Sequence, residues 1–274
     1  MTMSSSRRQM VGAGGLSALT LATLLTGMTS PVGAAKPAAS GNLAQVYVRL
    51  RTDEGGKRTY WLSRGTRYLL ADFQITPLHA MSMASCVVAD SKPDGSFVVR
   101  TLEGSFATDL ETGTVVDSFV NPATGASVAL PVTAPLTVTY HYHADGRMAL
   151  TSDDPRRTSV DFRGALAARQ EFAGELAVEE RFAIRTRTAT GTSDLSEQIT
   201  FSGRVDARGN ISDATKSVVV LRNWPFDQDQ PQLMLLAVYQ GRRFESLDAL
   251  LAEAGAGILD RAQPGFRDRL AEYR

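Results

Sequence analysis

Residues 94–147 decide the fold of this chain, and they read DGSFVVRTLEGSFATDLETGTVVDSFVNPATGASVALPVTAPLTVTYHYHADGR. Runs of β-branched and aromatic residues, such as 114–120 and 136–143, alternate there with short turns, and such residues fit a pleated, half-buried surface. Several of the turns carry a glycine, which tolerates a positive φ, directly after Asp94, Thr112, Thr124 and Asp145. The stretch therefore predicts consecutive antiparallel β-strands joined by hairpins.

The strand pattern continues on both sides of this stretch. Residues 46–51 alternate apolar and basic side chains, which predicts a first strand in a hairpin with residues 58–62. The nearly continuous apolar run 232–240 is compatible with a buried strand or a buried helix, because periodicity alone does not separate the two. Gly241 behind this run favours a hairpin turn, and hence a strand.

Helical signals appear only near the end of the chain. Ser246 is a good N-cap for residues 247–254, and Gly255 stands where that helix should stop. A second helical piece is predicted over 266–273.

Many strands in hairpin order with helices gathered at one end predict the fold class. We expect a mainly β protein, an antiparallel barrel or strongly curved sheet of lipocalin-like type, with short C-terminal helices at 246–274 that plug or flank one end. Residues 45–274 are expected to form a single domain, since all-β barrels commonly reach this length as one unit.

Composition excludes several classes of protein. The chain has 274 residues, a formal net charge of +0, 43% hydrophobic and 21% charged residues, which is typical of a globular protein. Balanced charge without a lysine or arginine cluster argues against a nucleic-acid partner. The single cysteine, Cys86, excludes an internal disulfide framework.

The N-terminal residues are interpreted as an export signal. Arg7 and Arg8 precede a weakly apolar stretch with several glycines, and small residues follow at 32–35. This pattern predicts a cleaved twin-arginine signal peptide over 1–35, so we expect export through the twin-arginine translocase to the periplasm or beyond. A short membrane anchor is the alternative, which the glycines disfavour. Residues 36–44, rich in alanine, are expected to be a flexible leader.

Several motifs carry a family resemblance. The leader, Tyr60-Trp61, residues 108–117, residues 121–125 and residues 246–250 together resemble an uncharacterised, domain-of-unknown-function family of exported bacterial proteins. The resemblance implies a shared fold and passage across the inner membrane, and it implies no activity, cofactor or site residue.

Histidines are the first candidates for chemistry. His141 and His143 alternate on a predicted strand, so they share one face while Tyr140 and Tyr142 share the other. We consider three roles: solvated residues at a strand end, a proton donor or base beside a pocket, or part of a three-histidine metal site completed by His79.

A second candidate is the run from His79 to Cys86. His79, Met81, Met83 and Cys86 are soft ligands at close spacing, as a Cu(I) site would need, although methionine and cysteine usually pack inside. Cys86 precedes two valines, which favours an inert core position over a nucleophile. No sequence signature of a P-loop, dinucleotide site, Gly-x-Ser-x-Gly elbow or His-Glu-x-x-His helix is present.

A barrel with a cavity would place some polar and aromatic side chains on its inner face. An inward arginine could hold a carboxylate or enolate, whereas arginines on strands more often cover the outside. The candidates for the lining are Tyr60, Trp61, Arg64, Arg67, Arg100, Asp109, Arg163, Arg185 and Trp224.

The first functional hypothesis is a carrier or binding module for a small, largely apolar molecule, because no strong catalytic motif is present. The second is a cofactor-free lyase, isomerase or hydratase in the same cavity, with His141 or His143 as base and an arginine as electrophile. The third is a metal-dependent activity built on the histidines. A buried pocket lined by an arginine with a histidine or a carboxylate within hydrogen-bond reach would favour the enzyme, and a pocket lined only by apolar groups would favour the carrier.

Overall fold

The computed structural model describes residues 43–52, 58–130, 134–152, 159–172, 174–188, 191–206, 210–226, 232–255 and 257–273. The strands in this part of the chain are, in order, β1 (Thr59–Ala71), β2 (Gln74–Ser91), β3 (Phe97–Thr108), β4 (Ser118–Val120), β5 (Ser127–Ala129), β6 (Leu136–Tyr142), β7 (Arg147–Ser152), β8 (Ser159–Phe172), β9 (Glu175–Thr188), β10 (Gly191–Val205), β11 (Ile211–Asn223) and β12 (Met234–Phe244).

Ten of these strands form a closed antiparallel barrel in the order β1-β12-β11-β10-β9-β8-β7-β6-β3-β2. The last strand closes it, because β12 pairs with β11 on one side and with β1 on the other. Closure leaves the first and last strands without a free edge. The predicted mainly β antiparallel barrel is thereby confirmed.

The apolar run 232–240 supplies the closing strand, so its strand interpretation is confirmed. Gly241 was expected in a turn, and that detail is wrong: it lies inside β12, opposite Ser63 and Lys216. A Cβ on Gly241 would come within 2.7 Å of the Ser63 Oγ and 2.8 Å of the Lys216 side chain. The glycine therefore makes room for inward-pointing neighbours, which a local turn rule does not reveal.

Within residues 94–147 the turns are as predicted but the pairing is not fully consecutive. Gly95 and Gly146 have φ values of 78° and 86°, as hairpin glycines should. However, β3 pairs with β6, and β4 pairs only with β5 in a separate two-stranded sheet. This small hairpin leaves the wall because its Phe119 is buried against Trp224 and Phe226, with ring centroids 6.2 and 5.3 Å away.

The first described element is a helix, α1 (Leu43–Arg51), so the predicted strand over 46–51 is wrong. Ala44, Tyr47, Val48 and Arg51 are buried, which is a helical i, i+3, i+4, i+7 stripe. This stripe enters one end of the barrel and packs on inward residues such as Phe201. The apolar and basic residues at 46–51 also alternate as in a strand, so the sequence fits both a strand and a helix. Tertiary packing selects the helix. The turn expected at 53–56 lies outside the described residues.

Three C-terminal helices confirm the helical prediction: α2 (Leu247–Ala254), α3 (Ile258–Ala262) and α4 (Phe266–Glu272). The Ser246 Oγ accepts a hydrogen bond from the Ala249 backbone at 3.2 Å, and Gly255 ends α2 with φ 91°. The helices do not enter the barrel. They cover the outer face of β1, β2, β3 and β12 over the apolar side chains Tyr60, Leu62, Ala84, Cys86, Leu102, Phe106 and Phe244.

None of the helices in the described ranges is both long and apolar enough to cross a membrane.

Candidate ligand site inside the barrel

Strand alternation decides which side chains point into the barrel. On β6, Tyr140 and Tyr142 belong to the inner core with α1, so His141 between them points outward. On β9, Val178, Glu180 and Phe182 point inward in the same way. The inner face therefore carries charged and phenolic groups among apolar ones.

A hydrogen-bonded group, here called the polar cluster, joins α1 to three strands. It consists of Tyr47, Arg51, Thr101, Tyr142 and Glu180. The Arg51 guanidinium donates to the Tyr142 hydroxyl at 2.6 Å, to the Tyr47 hydroxyl at 3.0 Å and to the Thr101 Oγ1 at 3.0 Å. The Tyr47 hydroxyl donates to the Glu180 Oε2. Such a network inside a low-dielectric interior orients each of its members.

Glu180 is the most deeply buried charge-bearing side chain of this cluster, with 0% exposure. Burial raises the pKa of its carboxyl well above the usual range, the nearby Glu197 raises it further, and Lys216 opposes the change. The Arg51 Nη1 lies 3.8 Å from the Glu180 Oε2, which is beyond hydrogen-bond distance. The Glu180 Oε1 has no hydrogen-bond partner among the described residues.

A second set of ionisable groups lies on the same inner face: Glu103, Glu197 and Lys216. Burial and the charge of Glu103 raise the pKa of the Glu197 carboxyl to about 7, against the opposing effects of Lys216 and Arg51. Burial and the charge of Arg51 lower the pKa of Lys216 to about 8, although the three glutamates oppose this. The Lys216 Nζ lies 5.3 Å from the centroid of the Trp61 ring. An acid and a base with pKa values near neutrality thus share one interior.

Next to these groups the inner wall is apolar. Ile184 of β9 pairs with Phe162 of β8 and with Leu195 of β10, so the three side chains form one inward row. All three are only partly buried although they point into a closed barrel. Tyr140 and Val220 are partly buried in the same way. The Tyr140 ring also lies 4.7 Å from the Arg51 guanidinium carbon, so it contacts the polar cluster.

The end of the barrel opposite α1 is covered by the β4–β5 hairpin. Phe119 of this hairpin packs on His79 of β2 at a centroid distance of 5.1 Å, and Trp224, Leu233 and Leu235 join them. His79 is 1% exposed, and burial together with the charge of Arg67 lowers its pKa to about 4. Its imidazole is therefore neutral at physiological pH, and neither ring nitrogen has a hydrogen-bond partner among the described residues.

Three of the predicted lining residues do point inward or close an end. Trp61 is 1% exposed and its indole N–H donates to the Arg51 carbonyl at 2.9 Å. Arg67 donates to the Tyr239 hydroxyl at 3.3 Å. Trp224 is buried at the hairpin-covered end.

The other predicted lining residues lie elsewhere. Tyr60 points outward and is covered by the C-terminal helices, while Arg64 is exposed and donates to the Glu253 carbonyl at 2.7 Å. Arg100 pairs with Asp90 at 3.0 Å on the outside of the wall. The remaining three, in surface turns or on exposed strand faces, are Asp109, Arg163 and Arg185.

The predicted catalytic histidines do not meet the polar cluster. His141 lies on the outer face of β6, and His143 is exposed beside the turn that ends at Gly146. Both are therefore separated from the interior by the barrel wall.

The soft-ligand candidates are divided between the two faces of β2. Met81 belongs to the inner core, whereas Cys86 is packed under the C-terminal helices, where burial raises the pKa of its thiol to about 11. Among the described residues, no group of three or more His, Cys, Asp or Glu side chains is arranged to hold a metal ion.

The polar cluster and the second ionisable set were not predicted, but the sequence carries a signal for one member of each. Glu180 stands two residues from Val178 and from Phe182, and Lys216 stands two residues from Ala214 and from Val218. A charged residue on the apolar face of an alternating strand points inward by the same rule that its neighbours obey. Tyr47 and Arg51 could not be found this way, because they lie on a helix where a strand was predicted.

No known protein family and no curated protein matches the chain. Among solved structures, the secretin InvG of the Salmonella SPI-1 type III secretion injectisome, in its open gate state, aligns over 90% of this chain and 83% of that chain. The identity is 11% and the TM-score 0.11, so this likeness carries no argument. The resemblance to exported bacterial proteins of unknown function accordingly stays a prediction.

Proposed function

We propose that the barrel binds a small, largely apolar molecule that carries a carbonyl or carboxylate oxygen at one end. The observation that carries this proposal is the inward row Phe162, Ile184 and Leu195, whose side chains keep accessible surface although they face the inside of a closed barrel. Inward apolar groups that do not pack fully against one another leave room for an apolar guest.

The polar cluster supports the oxygen-bearing end of this ligand. Arg51 is a buried cation whose guanidinium donates to three hydroxyls, while the Glu180 carboxyl lies beyond hydrogen-bond distance at 3.8 Å. A carbonyl or carboxylate oxygen supplies the negative charge that such a guanidinium prefers. The ligand's apolar body would then lie along the row of Ile184, on the far side of Tyr140.

Dye binding tests the proposed interior site. Anilinonaphthalene sulfonate, an aromatic body with one anionic group, should bind the folded protein with a rise in fluorescence. Ile184→Trp fills the inward row and should weaken binding by about tenfold or more. Ala183→Trp changes the adjacent, exposed position of β9 and should leave the affinity unchanged, provided that circular dichroism shows both variants folded. Equal affinities for the two variants would place the dye outside the barrel.

The natural ligand can be sought directly. Protein produced with its own N-terminal residues and recovered without denaturation should carry a small organic molecule in native mass spectrometry. Its mass would identify the chemical class.

Export remains part of the proposal, supported by Arg7, Arg8 and the small residues at 32–35. A single cysteine suits a protein that folds before export, because no disulfide has to form outside. Replacing Arg7→Lys and Arg8→Lys together should retain the protein in the cytoplasm of a bacterial host, as measured by cell fractionation. Unchanged recovery from the periplasm would contradict a twin-arginine route.

A second candidate function is acid–base catalysis without a cofactor, and the pKa of Glu197 near 7 favours it. The outward His141 and His143 are replaced in this hypothesis by Glu197 as base. It would take a proton from the carbon next to the ligand's carbonyl, and the electron pair would move to the carbonyl oxygen beside Arg51. With the ligand identified, Glu197→Gln should abolish its conversion while leaving its binding intact. Equal turnover by this variant would exclude Glu197 as the base.

A further inference from the structure

Among the described residues, the shortest ladder of the barrel wall is the seam between β7 and β8. Only Arg147 with Ala165 and Met148 with Gly164 are paired across it. Continuing this register would pair residue 149 with 163 and residue 150 with 162. In the described chain, residues 149–152 pair with β6 alone and residues 159–163 pair with β9 alone.

An unpaired stretch inside a barrel wall has a physical consequence. Backbone N–H and C=O groups that lack a strand partner must be satisfied by water or by another molecule. In the described residues, β7 and β8 lack such pairing with each other beyond Met148 and Gly164, although the same residues pair with β6 and β9 on their other sides. This unpaired stretch is here called the opening.

The opening leads to the apolar row. Leu150, the first inward residue of β7 beyond the paired segment, pairs on its other side with Tyr140. Phe162 stands at the facing position of β8, and its ring lies 5.6 Å from that of Phe182. A Cβ on Gly164 would come within 2.6 Å of the Phe162 ring, so the glycine lets this ring fold back along its own strand. Inward side chains at the opening are thus apolar and partly accessible.

Both ends of the barrel carry a covering element in the part of the chain that the structure describes. Helix α1 fills one end of the barrel with Tyr47, Leu50 and Arg51, all at most 7% exposed. At the other end the β4–β5 hairpin packs Phe119 over β2 and over Trp224. The seam is the part of the wall that lies nearest to the row of Ile184, because that residue pairs with Phe162.

We infer that the seam between β7 and β8 is the lateral entrance through which the ligand reaches the interior, and this inference rests on the proposed function. The rim of the entrance is polar, since Asp161 and Arg163 are exposed on β8. Leu150 and Phe162 form its apolar inner margin. An amphipathic molecule entering here passes with its oxygen-bearing end toward Tyr140 and Arg51.

A crosslink across the seam tests the entrance. Ala149→Cys with Arg163→Cys, joined by a short bis-maleimide, bridges the facing outer positions. Stopped-flow association of anilinonaphthalene sulfonate should be about tenfold slower than in the same protein before crosslinking. The control is Thr139→Cys with Thr151→Cys, a pair already held together by the β6–β7 ladder, which should show no change after crosslinking. Cys86 is buried and its raised pKa keeps it unreactive. An unchanged association rate in the seam-linked protein would overturn the entrance.

Hydrogen exchange provides a test that needs no ligand. The amides of residues 149–152 and 161–163 that face the seam should exchange much faster than those of 138–142 in the β3–β6–β7 ladder. Equal protection would show that the seam is closed and would overturn the inference. If the seam exchanges quickly but the uncrosslinked protein binds no dye, the proposed function fails as well as the entrance. If the dye binds and the crosslink has no effect, only the entrance fails.

Discussion

At the scale of the residue, the interior is defined by a few ionisable groups on strand positions whose neighbours are apolar. Burial raises the pKa of the Glu180 carboxyl well above its usual range, and the Arg51 guanidinium donates to three hydroxyls. Replacing buried ion pairs by apolar residues of similar volume is often neutral for stability, so this ionisable set is not required by folding alone and supports the proposed ligand site.

The raised pKa of Glu197 predicts a characteristic pH dependence of stability. Its folded pKa of about 7 exceeds the ordinary 4.5, so the folded state binds more protons than the unfolded state between these values. The free energy of unfolding should therefore fall as the pH rises from 4.5 to 7, with a contribution from this group of ~2 kcal/mol after allowance for its partial exposure.

The lowered pKa of His79 has the opposite effect. Between about 4 and 6.5 the unfolded state binds more protons, so stability rises with pH through this group. Urea denaturation of Glu197→Gln at several pH values should accordingly show a steeper gain with rising pH than the parent protein. Glu245→Gln, at an exposed position, should follow the parent. A Glu197→Gln variant with the parent's pH profile would refute the raised pKa.

At the scale of the element, α1 is held inside the barrel by a side chain from the last strand. The Arg243 guanidinium donates to the carbonyls of Arg49, Leu50 and Thr52 at 3.0, 3.2 and 2.9 Å, and to the Ile211 carbonyl at 3.0 Å. These are the carbonyls that a helix leaves unpaired at its C-terminus. A cation at that end is also favoured by the helix dipole. One side chain of β12 thus stabilises the helix, the closure and the position of Arg51 together.

Substituting Arg243→Met should loosen α1. The side chain is 5% exposed, so the freed carbonyls would remain largely shielded from water and stability should fall by about 3 kcal/mol. Arg242→Met, on the exposed face of the same strand, should cost less than about 1 kcal/mol. Urea denaturation gives both values, and trypsin cleavage within 43–51 in the folded protein should accelerate only in Arg243→Met. Similar losses in the two variants would show that the cap contributes little.

At the scale of the whole molecule, closure requires a close approach of β1 to β12. Gly65 of β1 faces Tyr239 of β12. A Cβ there would lie 1.9 Å from the Val238 carbonyl oxygen and 2.7 Å from the Tyr239 ring, and backbone atoms have little freedom to move away. The hydroxyl of Tyr239, whose ring occupies this space, also accepts the hydrogen bond from Arg67. Barrel closure and an interior polar contact therefore depend on the same glycine.

Gly65→Ala should consequently destabilise the closed barrel by about 2–3 kcal/mol through overpacking. Thr66→Ala, the next residue on β1, pointing the other way, should cost less than about 1 kcal/mol. Thermal denaturation compares the two, and amides of β12 should lose hydrogen-exchange protection in Gly65→Ala. An alanine tolerated as well at 65 as at 66 would contradict the tight approach of the two strands.

Local sequence determined the hairpins, the C-terminal helices and the mainly β class, because turn glycines, an N-cap serine and alternating strands act over a few residues. The barrel class and a strand over 232–240 also followed from such patterns, but that this strand closes the barrel between β1 and β11 was decided by the tertiary structure. Only the tertiary structure decided that residues 43–51 fold as a helix. Packing of the buried helical stripe against the inside of the barrel stabilises this helix, and that packing is not visible in the local sequence. The tertiary structure also decided the candidate site, because elements distant in the chain bring Arg51, Tyr142 and Glu180 together. Barrel closure, and not the strand itself, sets which alternating face of a strand points inward.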